Sequence, residues 1–193
     1  MKSILFFFIF LSSFAYAQKP VDKLNVPGPV SINKKVHVLS WTSQPAADFY
    51  KQEYIPAGDN ADKFKSMVLV DVIMGNSNLK SIVDAKMAEL KKMKETNPMV
   101  NYEIFQKNGE YLLDFILSAN SADGKTIEIV ERNVYRYKAI TDKSGKKGVL
   151  LFGVSVRSYG NDIDNFLKAL KGNKSTLSNE VAAFTMPVIT VSK

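Results

Sequence analysis

Asn108-Gly109 separates two segments in which apolar and polar residues alternate, about 100 to 107 and 110 to 119. Both central residues of a two-residue type I′ turn need positive φ, which asparagine tolerates and glycine accepts freely, so these segments are expected as antiparallel neighbours. Two further alternating segments, about 125 to 139 and 149 to 158, follow turn signals at Asp123-Gly124 and at Asp142 to Gly148. A run of short strands joined by tight turns predicts a mainly antiparallel sheet.

The same sheet begins earlier in the chain. Alternation from Lys35 to Trp41 predicts a first strand, and Phe49 to Ile55 a second, stopped by Pro56-Ala57-Gly58-Asp59. FKSMVLVDVIM, residues 64 to 74, is the most apolar stretch beyond the N-terminus, and its β-branched residues predict a central strand covered on both faces. Leu79, Ile82, Val83, Leu90 and Met93 recur at helical spacing between capping asparagines at 76 to 78 and Asn97-Pro98, so a helix is expected from about 78 to 95. A second helix is announced by Asn161 or Asp162 as cap, by Ile163, Phe166, Leu167 and Leu170 on one face, and by Gly172 as stop. Ser178 to Phe184 reads as a helical turn, and Val188 to Val191 as extended chain.

The first seventeen residues read as an export address: Lys2, an apolar stretch from Ile4 to Phe10, and Ala15-Tyr16-Ala17 as a small-residue cleavage site. This places the protein in the periplasm or outside the cell. Residues 18 to 33 carry three prolines and one glycine without a sustained period, and are expected as a weakly ordered lead-in. The expected organisation is a signal peptide over 1–17, the lead-in over 18–33, one α+β domain over 34–175 and a tail over 176–193. No segment after the leader is long and apolar enough to span a membrane. With no cysteine in the chain, stability must come from packing without disulfides or thiolate metal sites.

Twenty-six basic residues face 19 acidic ones, a formal charge of +7. A basic exported protein meets anionic lipid, acidic polysaccharide or acidic proteins, and export argues against nucleic acid as a partner. Catalytic signatures are sparse. His37 is the only histidine, without a ligand cluster or a triad pattern around it, so a structural or surface role is expected, with no metal and no cofactor. Trp41, Tyr50 and Tyr54 are expected in the core, with a ligand cleft as the competing role. Asp71 interrupts the apolar run from Met67 to Met74 and is the candidate for a perturbed acid. Its competing role is pairing with a backbone amide or a lysine.

Arginine usage is the sharpest feature. Only three of the basic residues are arginine, and all three, Arg132, Arg136 and Arg157, fall on the last two predicted strands. Aligning Tyr135 and Tyr137 with the apolar set Phe152, Val154 and Val156 puts the three guanidinium groups on one face near Gly153 and Ser155. There they would form a receptor for carboxylate or phosphate. The competing arrangement is cross-strand pairing with Glu128 or Glu131.

The order of elements resembles the PsbP-like group of α/β/α sandwich domains. FKSMVLVDVIM leading into NLKSIVDAKMAELKKM, then YEIFQKNGEYLLDF, then NDIDNFLKAL carry the resemblance, over about residues 34 to 172. It implies accessory, scaffold or binding roles, and it transfers no functional residue. YKQEYIPAGDNADKFKSM also resembles a pattern common in small exported proteins of Gram-negative bacteria. The expected fold is α+β: a mainly antiparallel sheet of about six or seven strands with two main helices packed on it, in the PsbP-like layout. The expected function is a non-catalytic binding or accessory protein of the cell envelope, docking a protein or an anionic envelope component through the arginine-bearing face. The alternatives are a small carboxylate-dependent envelope hydrolase using Asp71 and a passive structural subunit. Nothing in the sequence fixes the oligomeric state.

Overall fold

The computed structural model describes residues 20–191. The export address lies outside the described residues. One sheet organises the chain, and it has eight antiparallel strands rather than six or seven. They are β1 (Val30–Ile32), β2 (Lys35–Ala46), β3 (Phe49–Pro56), β4 (Ser66–Met74), β5 (Asn101–Lys107), β6 (Glu110–Asn120), β7 (Ile127–Thr141) and β8 (Lys147–Tyr159), in the spatial order β1-β2-β3-β4-β8-β7-β6-β5. The helices are α1 (Leu79–Thr96), between β4 and β5, and α2 (Ile163–Ala183), after β8.

The additional strand comes from the segment expected to be weakly ordered. Leu24, Val26, Val30 and Ile32 are buried in the main core, and β1 pairs with β2. Burying such side chains stabilises by roughly 1.5–3 kcal/mol each, but their backbone groups still need partners. The Asp22 carboxylate supplies the first of these, accepting from the amides of Leu24 and Val26, both at 3.0 Å.

Gln52 and Tyr54 of β3 complete the tie. The Gln52 side chain accepts from the Lys23 amide at 2.7 Å, and the Tyr54 hydroxyl donates to the Val26 carbonyl at 2.5 Å. From beyond α2, the Thr190 amide donates to the Leu24 carbonyl at 3.0 Å, and Ile189 is buried in the same core. Periodicity could not reveal this segment, because its backbone groups are met by side chains, Asp22 within it and Gln52 and Tyr54 from β3, more than by a long ladder.

The turn at Asn108-Gly109 forms as expected, with φ of 52° and 75°, and pairs Lys107 with Glu110. β4 lies between β3 and β8, with Val68, Val70 and Val72 fully buried. The Asn78 side chain accepts from the Ser81 amide at 3.0 Å and caps α1. α2 does not stop at Gly172. It breaks at Asn173, where φ is −133°, and resumes because Leu177 and Val181 still have core to cover.

The helices lie on opposite faces of the sheet. Val83 and Leu90 of α1 pack with Leu113, Phe115 and Tyr137, whereas Leu177 and Val181 of α2 pack with Val134, Phe152 and Val154. Neighbours on a strand point to opposite faces, so Arg136 reaches carbonyls at the end of α2 while Tyr137 packs under α1. The α2 face is also covered by the N-terminal segment and the residues around Ile189. On the α1 face, the helix packs over β5 to β7 and leaves β2 largely bare, while Ile55 of β3 is covered by Phe64 and Met67.

Candidate functional site

The three arginines do not share a face. Tyr135 pairs with Gly153 and Tyr137 with Leu151, so odd positions of β7 stand beside odd positions of β8. The expected alignment matched odd to even, and that one-residue difference sends Arg157 to the α1 face while Arg132 and Arg136 remain on the α2 face. The apolar pattern misled because β8 is buried on both faces over much of its length, which removes the parity signal.

Each arginine also has an acid. Arg132, 2% exposed, donates through Nε and Nη2 to the two oxygens of Asp114 at 3.0 and 2.6 Å, and further to the Lys174 carbonyl and the Ser178 hydroxyl. Arg136 donates to Glu110 at 2.6 Å and to the Phe184 carbonyl at 2.8 Å. Burial opposes ionisation of Glu110, but hydrogen bonds from Arg136 and Lys138 outweigh it and lower its pKa. Arg157 pairs with Glu131, the cross-strand arrangement weighed against the receptor, and its guanidinium lies 4.0 Å from the centre of the Phe64 ring. Two of these arginines fasten α2 to the sheet; the third lines a polar cleft of about 410 Å³ with Glu53, Tyr135 and Ser155.

Asp71 faces the α1 side. Its side chain is 15% exposed, Lys51 Nζ stands 3.6 Å from Oδ2, and Oδ1 accepts no hydrogen bond from the protein. Burial raises its pKa to about 6, with Lys51 pulling the other way and Glu53 adding to the rise. It borders a cleft of about 470 Å³ between α1 and the sheet, where Glu89 is the other carboxylate. Glu89 already accepts two hydrogen bonds from Lys86, at 3.0 and 3.1 Å.

His37 is fully buried, within hydrogen-bond reach of the Ser66 hydroxyl at 2.8 Å and the Val30 carbonyl at 3.3 Å. Burial lowers its pKa, so the neutral ring is the native form. Its neighbours Val36 and Val38 are 54% and 40% exposed, the reverse of the usual pattern. Tyr50 and Tyr54 are core residues, but Trp41 is 44% exposed. The register slips between Leu39 and Trp41, pairing Leu39 with Tyr54 and Trp41 with Glu53. That bulge turns the tryptophan onto the bare part of the α1 face, opposite Glu53 of β3.

Sequence reasoning missed Val36, Val38 and Glu53 as surface features. Gly153, expected to leave room for the arginines, instead makes room for the Tyr135 ring: an added Cβ would stand 2.7 Å from Tyr135 Cδ1. Among the described residues, no group of three metal-ligating side chains occurs, and no helix is long and apolar enough to cross a membrane.

The fold and this surface define an α+β protein whose single sheet carries a helix on each face, with β2 exposed on the α1 side. A family model matches residues 24–186, and the chain belongs to that family of uncharacterised proteins. No curated protein matches the chain.

Proposed function

We propose that this is a non-catalytic binding or accessory protein of the cell envelope, exported by its N-terminal leader, which docks a protein partner on the bare half of the α1 face. One observation carries the reading: Val36, Val38 and Trp41, all on β2, expose 54%, 40% and 44% of their surface on a part of the sheet that no helix covers. Exposed apolar groups next to one another mark association surfaces, and tryptophan is enriched where binding energy concentrates. The formal charge of +7 favours an acidic partner.

The test is photocrosslinking in the native envelope, with benzoylphenylalanine placed at Val38 or Trp41, and at Lys168 on α2 as control. One protein captured from the first two positions and not from the third supports the proposal. Equal capture from all three removes it.

The rival reading, a carboxylate-dependent envelope hydrolase, rests on the raised pKa of Asp71. Two observations weigh against it: Lys51 sits beside Asp71, and Lys86 occupies Glu89. Hydrolysis of an envelope polysaccharide or ester that disappears in Asp71→Asn would restore it.

A further inference from the structure

β5 forms one margin of the sheet. Its inner side pairs with β6, and no described strand pairs with its outer side. The opposite margin, β1, has only three residues and follows Pro29, features that discourage pairing. β5 has seven residues with no proline, glycine or bulge, and exposes Ile104 and Phe105 by 41% and 51%. An uninterrupted margin that exposes two large apolar side chains is a template for another strand.

The hairpin decides which backbone groups are free. Lys107 and Glu110 flank a two-residue turn and exchange hydrogen bonds with each other, so Glu103 and Phe105 also direct their backbone groups towards β6. Tyr102, Ile104 and Gln106 therefore direct theirs outward. The side chains of Glu103, Phe105 and Lys107 lie together on the α2 face, because residues two apart in a strand share a side.

We propose that β5 binds β5 of a second copy of this chain, antiparallel, about a twofold axis passing through Phe105. In that register the two Phe105 rings meet, Glu103 of each copy faces Lys107 of the other, and the outward groups of Ile104 and Gln106 pair in the ladder. Placing the axis at Ile104 would oppose Glu103 to Phe105 and lose both charge pairs, so charge complementarity selects the first register. Glu103 already accepts from Lys174 at 2.6 Å, yet remains 46% exposed and has acceptor capacity left. The product is a closed two-fold dimer with a continuous sheet, independent of the surface proposed for the partner.

Sedimentation equilibrium of the full chain tests this. The wild type is expected to be a dimer. Gln106→Pro removes an outward N–H and leaves the β6 ladder intact, so it should give a folded monomer with an unchanged circular dichroism spectrum. Lys107→Glu should weaken the dimer about tenfold or more by opposing like charges, and Glu103→Lys combined with Lys107→Glu should restore it. A wild type that stays monomeric at all concentrations, or a dimer indifferent to Gln106→Pro and to the charge exchange, overturns the proposal.

Discussion

Arg132 and Asp114 face each other as a two-pronged fork, at 3.0 and 2.6 Å, with side chains only 3% and 6% exposed. A buried pair is costly to break because the surviving charge has no water to turn to. Arg132→Ala should therefore destabilise the protein by about 3–5 kcal/mol in urea unfolding, and replacing both residues by apolar ones of similar size should recover most of that loss. Recovery would show that filling the space between α2 and the sheet, rather than the charges themselves, holds the helix in place.

Asp71 gives a pH dependence of defined sign. Its native pKa of about 6 exceeds the ordinary 3.8, so its contribution is fully favourable below about pH 4 and declines as pH rises through 6. Asp71→Asn should match the wild type near pH 4 and be more stable at pH 7.5, by about 3 kcal/mol. Denaturant melts at the two pH values check this; equal stability at pH 7.5 would contradict it.

Gly153 is set by the aromatic ring beside it. An alanine Cβ there would meet Tyr135 Cδ1 at 2.7 Å, and Tyr135 is itself held edge-on to Phe115 at 4.9 Å. Gly153→Ala should cost about 1–3 kcal/mol through displacement of the ring. Thermal melts and the near-ultraviolet circular dichroism of the tyrosines report the cost and its cause.

Leu24 tests the buried N-terminal segment. It is 0% exposed, whereas Val21, three residues earlier, is 67% exposed. Leu24→Ala should cost about 2–5 kcal/mol, while Val21→Ala should stay within about 0.5 kcal/mol. Limited proteolysis should cut the Leu24→Ala variant first within residues 20–33.

Local chemistry made much of this legible. The Asn108-Gly109 turn and the Asn78 cap depend on neighbours in sequence, and both form as the residue types require. What stayed hidden depends on distant pairing. The face of Arg157 hung on the β7–β8 register, and β8 offered no alternation to fix it. Trp41 was turned outward by a bulge, and His37 inward by Ser66 on a strand it does not adjoin. The Pro-rich segment looked unstructured because Gln52 and Tyr54, which hold Lys23 and Val26, lie 29 and 28 positions further along the chain.

The bond from Thr190 to Leu24 gives the molecule a timetable as well as a shape. Whatever leaves the ribosome early must wait for a stretch made far later before its own seat is complete. A chain still lacking that stretch leaves the Leu24 carbonyl without this partner and one side of the core uncovered.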